Sequence, residues 1–473
     1  MSYYAIVTTL KEVRKHPNAD RLQLATVFGN TICIDLSYKE GQLGVYFPTG
    51  GQLSVAFAEA NNLLRKKDEN GNNIGGYMDP DKRNVVAIKL RGEKSDGLFL
   101  PLSCLELFGD ITTLSIGDRI DVFNGHEICV KYIPKTNARR GGHSEGNRTR
   151  KTKVPLAPLF AEHADTEQLA YNLGAFKVGD EIEITLKMHG TSQRTGHLKV
   201  LTGYKRTIWD KIFRRPGTPI YDWGYVSGTR RVVLDTFDGG FYGSNEFREQ
   251  HHNTFVGKLW KGETVYYEVV GFTHTGAPIM GKGNNEKLGK EFVKQYGKET
   301  TFSYGCTPDG KHIMYGEDDQ GKYEVAFDMP ISDVYVYRMT MTNEDGEVVE
   351  YTPDFMRYRC EQLGVKCVPV FGKATISADR LHFVGTDGYD HDYLIGDGSI
   401  GDMVVKAAEE FFAGPDPVGK SHTREGVVVR IVNRPKFCAY KHKNFEFKVL
   451  EGIISEKLAE SATEIAEDVL AEM

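Results

Sequence analysis

Several kinds of chemistry are missing from this sequence. Its seven cysteines (Cys33, Cys104, Cys129, Cys306, Cys360, Cys367 and Cys438) are scattered, odd in number and include no Cys-x-x-Cys pair. That excludes a disulfide framework and a cysteine-based structural zinc site. No apolar run approaches the ~20 residues that cross a bilayer, and the opening MSYYAIVTTLKEV lacks the apolar stretch of a signal peptide. The expectation is a protein with no membrane partner, working in a reducing cytoplasm; the sequon Asn147-Arg148-Thr149 has no meaning there. No excess of positive charge is present either, the formal net charge being −6. Any nucleic acid must therefore be met by a local basic patch. Internal repeats and low-complexity tracts are absent, the acidic stretch Asp387–Asp402 lacks EF-hand spacing, and the histidines show no metal-ligand pattern.

What remains is an ordinary globular composition, 40% hydrophobic and 26% charged over 473 residues, enough for two or three domains. Residues 1 to about 130 read as short strands (Tyr4–Thr9, Leu24–Phe28, Thr31–Asp35, Leu43–Phe47, Val85–Leu90, Gly97–Leu102) punctuated at Gly29-Asn30 and Gly41, which predicts a small barrel. Leu63–Asp81 is polar and rich in Gly and Asn, a predicted loop. Residues 131–153 hold eight Lys/Arg against one Glu; such a run reads as a solvated hinge that can also touch phosphates. From Val154 onward strands alternate with helical stretches, as in an α+β domain, and Ile454–Met473 carries Ile454, Leu458, Ile465 and Val469 at helical spacing.

In EIEITLKMHGTS, Glu181–Ser192, alternation puts Ile182, Ile184 and Leu186 on one strand face and Glu181, Glu183, Thr185 and Lys187 on the other. Lys187 thus stands opposite the core, just before Gly190 turns the chain and lets backbone approach a ligand. A free lysine titrates near ~10.4 and is a poor nucleophile at neutral pH; neighbouring cations and a bound metal would favour the amine. Three more strands carry suitable polar groups. Glu268 lies in the apolar TVYYEVVGF. Tyr335 and Tyr337 share a face of SDVYVYRMT, and Glu425 opens the apolar run EGVVVRIV. Lys441 and Lys443 lie two apart on one face of FCAYKHKNFEFK. These fit a pocket with Glu for a ribose, Tyr for a purine, Glu for metal-bound water and paired Lys for phosphate.

Taken together the set resembles the covalent nucleotidyltransferases: DNA ligases, RNA ligases and mRNA capping enzymes. Their nucleophile motif, Lys-x-Asp/His-Gly, is similar to Lys187-Met188-His189-Gly190, and the His variant followed by Thr191 resembles RNA ligases that seal nicked duplexes. YYEVVGF resembles the ribose-contacting motif, giving Glu268. VYVYRM resembles the adenine-stacking motif, giving Tyr337 first and Tyr335 second. EGVVVR resembles the metal-associated motif, giving Glu425, and Lys441-His442-Lys443 the final Lys-x-Lys motif. VSGTRR is similar to the Arg-bearing motif, giving Arg230. Only 30 residues follow Lys443, so the OB domain that DNA ligases and capping enzymes carry there is not expected.

Instead His16–Asn30 and Lys89–Leu102 resemble tRNA-binding OB modules, and an OB domain ahead of a transferase resembles RNA ligase family 5. The resemblance implies an N-terminal OB-fold β-barrel (1–130), a basic linker (131–153) and an adenylyltransferase domain on antiparallel sheets (154–473). Its implied activity is ATP-dependent joining of 3′-OH and 5′-phosphate RNA ends through lysyl-AMP, with Mg²⁺ or Mn²⁺, as a monomer. A DNA ligase, another transferase of the superfamily, and a non-catalytic RNA-binding protein are the alternatives. Tyr204–Trp223 and Gly281–Tyr304 look like insertions, the first basic and aromatic, a solvated loop or an RNA contact. Gly414–Ser421 matches the pattern GxxxxGK[ST], but a helical stretch precedes it, a strand follows it and two prolines remove amide donors, so a P-loop is rejected.

Overall fold

The structure, a computed structural model, describes residues 3–66, 69, 74–132, 154–164, 166–213, 215, 217–230, 232–238, 245–318, 321–396 and 398–450. Strands dominate and the described helices are short, Pro353–Leu363 having 11 residues. No described helix is long and apolar enough to cross a membrane. Two units are present: 1–144 with 286–291 and 445–473, and 145–285 with 292–444. The basic run from 133 to 153 and the segment Ile454–Met473 lie outside the described residues.

In the first unit Ala5–Thr9, Leu43–Phe47 and Leu98–Pro101 form a sheet with Arg119–Ile120. Their inward residues Val7, Val45, Phe47, Leu98 and Leu100 pack on Phe57, Leu105 and Phe108. Lys11–Lys15, Leu22–Val27 and Asn30–Asp35 form a second sheet, turning at Phe28-Gly29, where both φ angles are positive. The barrel expected for residues 1–130 is not closed among the described residues. The strands are two to six residues long and turns end each ladder early, leaving separate small sheets. The loop expected at Leu63–Asp81 is irregular where described, yet Leu63, Leu64 and Met78 enter the core.

The two segments of this unit singled out in the sequence meet. His16 is fully buried, its Nε2 3.1 Å from the Leu90 carbonyl, and its Nδ1 accepts from the Asn18 N–H at 3.0 Å. Asn18 in turn donates to the Arg91 carbonyl. The short helix Phe445–Leu450 belongs to this unit, through ion pairs of Lys448 with Asp96 and of Glu446 with Lys94.

The second unit carries two seven-stranded sheets. One orders Val233–Leu234, Thr218–Gly228, Thr191–Lys205, Glu263–Gly271, Ser332–Thr342 and Val348–Glu350, with Lys366–Cys367 alongside Ser332–Thr342. The other orders Glu167–Gln168, Cys438–Lys443, Gly426–Ile431, Glu181–Leu186, Val370–Ile376, Arg380–Gly385 and Asp390–Leu394. All pairings in both are antiparallel except those of Glu167–Gln168 and Lys366–Cys367.

Period-two alternation explains the packing of the second sheet. Ile182 and Ile184 join Val427, Val429 and Ile431 against Met403, Val404, Ala407 and Ala408 of the helix Ile400–Glu409. That helix starts at a capping box of Ser399 and Asp402. On the opposite face of Glu181–Leu186, Glu183 is buried and paired with Arg357 at 2.8 Å, so both faces of this strand are covered. In the first sheet Val265, Tyr267, Val269, Val334 and Val336 pack on Phe247 and Phe255 of Glu246–Phe255, and on Met356, Cys360 and Leu363 of Pro353–Leu363. Thr352 caps Pro353–Leu363 and left-handed Gly364 ends it.

Candidate active site

The strand Glu181–Leu186 belongs to one large sheet and Thr191–Lys205 to the other. Lys187-Met188-His189-Gly190 is the link between them, so the lysine loop sits where the two sheets diverge. The Lys187 N–H donates to the Gly426 carbonyl at 3.0 Å, pinning the loop to the strand that follows Glu425. Two glycines make this approach possible. A Cβ on Gly190 would lie 2.4 Å from the Val269 carbonyl oxygen, and one on Gly426 2.0 Å from that of His442. Gly190 was expected to admit a ligand to the backbone; what approaches it here is the neighbouring strand.

Lys187 Nζ lies 2.6 Å from Glu425 Oε1, and Lys443 Nζ lies 2.8 Å from the same oxygen. Glu425 is 1% exposed, while the two lysine side chains keep 22% and 17%. Burial opposes ionisation of Glu425, but Lys187 and Lys443, then His189, outweigh it and hold the carboxyl well below its usual range. Neighbouring cations and a bound metal were the expected influences on Lys187; the structure adds a carboxylate, Glu425, in direct ion pair with it. Glu425 Oε2 has no hydrogen bond, His189 Nδ1 standing 3.6 Å away. Lys441 lies two residues before Lys443 on the same strand, in register with Val428. Among the described residues no group of three His, Cys, Asp or Glu is arranged to hold a metal unaided.

Glu268 enters from the first sheet, where Ser192 and Tyr335 are its register partners on either side. Its carboxyl is pushed up to about 7, by burial first; Lys187 opposes the rise and Glu425 adds to it, while Arg230 and Arg248 oppose it. Tyr337 stands at a bulge. Arg338 pairs with Tyr266 and Val336 with Tyr267, so Tyr337 is the extra residue and is re-aimed. Its hydroxyl is 2.9 Å from Ser192 Oγ and the His163 ring meets it edge-on at 4.9 Å. Tyr335, by contrast, is 4% exposed beneath the Lys366 ammonium. Arg230 bears electrostatically on Glu268, Tyr337 and His163. The structure thus gathers Lys187, His189, Gly190, Glu268, Tyr337, Glu425, Lys443 and the charge of Arg230, and sets Tyr335 apart under Lys366.

Similarity to solved structures covers nearly the whole chain. A mutant of the Naegleria gruberi RNA ligase with ATP and Mn superposes with a TM-score of 0.51 at 16% identity, covering 95% of this chain and 99% of that one. The same ligase with PPi gives 0.50 at 16%, covering 93% and 96%. Another mutant, with AMP and Mn, gives 0.50 at 16%, covering 94% and 97%. The chain has an RNA-ligase fold. No family model and no curated protein sequence matches it.

Several residues around the lysine loop gave no signal in the sequence. The Tyr304 hydroxyl accepts from the His189 N–H at 2.7 Å, and Phe302 packs edge-on against the His189 ring at 4.6 Å. Both come from the segment read as an insertion, which therefore supports the lysine loop. His422 packs against both rings. It is fully buried, and burial pushes its imidazole down to about 4. The P-loop-like stretch before His422 follows the helix Ile400–Glu409 and precedes the strand Gly426–Ile431, as its rejection required. His163 lies among Tyr266, Tyr337 and Phe437. Burial, then Arg338, Arg230 and Arg194, keep it neutral, well below its ordinary value. No spacing rule links residues 163, 302, 304 and 422 to Lys187; only the fold does.

Proposed function

We propose that this protein is an ATP-dependent RNA ligase that joins 3′-OH and 5′-phosphate RNA ends through lysyl-AMP on Lys187, with the two-domain arrangement of RNA ligase family 5. The observation that carries the reading is the sharing of one buried Glu425 oxygen by Lys187 and Lys443, on a loop that joins the two sheets of a ligase fold. An amine must leave its ion pair before it can attack, so Glu425 serves as the holder from which the nucleotide takes Lys187. Lys187 gives up one proton to become the neutral amine, and its Nζ attacks the α-phosphorus of ATP; the N–P bond forms, the bond to pyrophosphate breaks, and a second proton leaves to solvent, so the phosphoramidate nitrogen keeps one hydrogen. The AMP passes to an RNA 5′-phosphate, and a 3′-OH then forms the phosphodiester and expels AMP. Lys441 and Lys443 stabilise the α-phosphate and the departing group. Glu268 receives the ribose, Tyr337 the purine with Tyr335 second, and Arg230, His189 and Gly190 border the nucleotide.

A divalent cation, Mg²⁺ or Mn²⁺, fits the donors present. Glu425 Oε1 is occupied by two ammonium groups, but Oε2 is buried without a hydrogen bond. A carboxylate joined by substrate phosphates and water is a usual magnesium setting, and Glu425 would hold the ion in that way. When bound it would neutralise charge developing on the phosphates. The remaining parts of the proposal are an OB-type RNA-binding module in 1–130, a basic linker in 131–153, an adenylyltransferase domain in 154–473, a monomeric state and a cytoplasmic site of action. The meeting of His16–Asn18 with Leu90–Arg91 supports the first of these.

The test is to incubate the protein with α-labelled ATP and Mg²⁺, denature it, and measure label on protein. Label is expected on wild type and absent from Lys187→Ala; label that persists in the variant removes Lys187 from the role. Sealing of nicked RNA against nicked all-deoxy DNA then separates an RNA ligase from a DNA ligase.

A further inference from the structure

The strands Thr191–Lys205 and Thr218–Gly228 form a long hairpin in the first sheet of the second unit. Its tip is a short helix, Ile208–Ile212. Ile208, Trp209, Ile212 and Phe213 are 75%, 67%, 61% and 60% exposed. Four large apolar side chains exposed within six residues exceed the scattered exposure that a surface tolerates without cause. The Trp209 and Phe213 rings are near parallel at 18°, with centroids 6.1 Å apart, and the Arg215 guanidinium lies over Phe213 at 5.6 Å. Lys205 and Arg206 flank the helix. The acidic residue of the tip, Asp210, accepts the Thr207 N–H and hydroxyl at 2.9 and 2.7 Å and also feels the charges of Arg215 and Arg206, so in the sequence one carboxylate stands among the cations Lys205, Arg206, Lys211 and Arg215.

The same combination continues down the hairpin. Lys199 and Trp223 are cross-strand partners, and the ammonium groups of Lys199 and Lys261 lie 4.7 and 5.6 Å from the Trp223 ring. One step nearer the lysine loop, His197 stacks on Tyr225 at 4.4 Å. Rings and cations thus meet both at the tip and at Trp223, where Asp222 also lies 4.0 Å from Lys199, in a protein whose net charge is −6.

We propose that this hairpin is an RNA-binding arm that grips an unpaired strand, with Trp209 and Phe213 stacking on bases while Lys205, Arg206 and Arg215 meet phosphates. The proposal rests on the RNA-ligase reading for the identity of the polyanion. An unpaired strand is favoured over a duplex because open rings need free base faces, and a duplex keeps its bases stacked inside. The strand Thr191–Lys205 begins four residues after Lys187, and at ~3.3 Å per residue its 15 residues carry the tip up to ~45 Å from that lysine. At the ~3.4 Å spacing of a stacked strand this is about 13 nucleotides, so the arm touches RNA well away from the ends being joined.

The experiment compares the full-length protein with Trp209→Ala/Phe213→Ala and with Lys205→Ala/Arg206→Ala. Fluorescence anisotropy is read with an unpaired 20-nucleotide RNA and with a 20-base-pair RNA duplex. Each variant is expected to bind the unpaired RNA at least ~10-fold more weakly. The lysine–arginine variant should also lower the log–log salt slope by about 1.4, at ~0.7 per lost phosphate contact on a single strand. Self-labelling by α-labelled ATP should be unchanged in both, which shows that the fold and the lysine site survive. Unpaired-RNA binding equal to wild type overturns the proposal, and so does an equal loss on the duplex. A wild-type dimer that the aromatic variant dissociates in sedimentation also overturns it, since a second copy then covers the tip. Failure of wild type to self-label would remove the ligase reading while leaving the binding comparison intact.

Discussion

Replacing Glu268 by Gln should stabilise the protein while, on the proposed reading, weakening its use of nucleotide. The Glu268 carboxyl titrates near 7 in the folded chain against an ordinary 4.5, burial being the chief cause. Between those values the folded state binds more protons than the unfolded state, so stability falls as pH rises through the window. At ~1.4 kcal/mol per pH unit the loss reaches about 3 kcal/mol above pH 8. Glutamine carries no charge to bury and escapes it. Glu268→Gln is therefore expected to be more stable than wild type by about 3 kcal/mol at pH 8 and by less than ~1 kcal/mol at pH 5. Hydrogen exchange of the amides in Glu263–Gly271 reads this locally and does not require the two units to unfold together. On the proposed ligase reading, label transfer from ATP should fall in the same variant, because an amide would replace the carboxylate assigned there to the ribose. A stability difference that does not change between pH 5 and 8 would refute the reasoning. The buried charge of Glu268 is then not the source of the pH dependence.

Two further outcomes follow from the lysine loop. Gly426→Ala places a methyl 2.0 Å from the His442 carbonyl at a φ of +146°; the strand pair behind Glu425 must shift, and thermal unfolding should show a loss of several kcal/mol, on the order of 3. Tyr304→Phe removes the acceptor of the His189 N–H, a deletion worth about 1–3 kcal/mol. The rate of lysyl-AMP formation should fall by roughly 10-fold, and an unchanged rate would mean that the tyrosine only fills space.

Local rules reach far into this chain. Alternation in EIEITL placed Ile182 and Ile184 in a core, and the apolar run after Glu425 announced a strand buried between neighbours. Turn residues marked the strand ends of the first unit, though not whether those strands would close a barrel, because closure depends on how short ladders meet. Strand polarity put Lys187 at the end of its strand, and the ordered motifs named its companions. That information is carried in residue type and spacing, which are one-dimensional.

What the sequence could not supply is which charges share which atom. A carboxylate as the partner of Lys187, a bulge that re-aims Tyr337 away from Tyr335, and Tyr304 beneath the His189 amide are decided by sheet register and by segments far apart in the chain. Neighbours likewise decide the opposite titration of two buried glutamates: burial prevails at Glu268 and drives its carboxyl upward, whereas at Glu425 Lys187 and Lys443 outweigh burial and hold it down. A side chain's intrinsic chemistry is fixed by its identity, whereas its ionisation and reach depend on the dielectric and the neighbours that only folding brings to it.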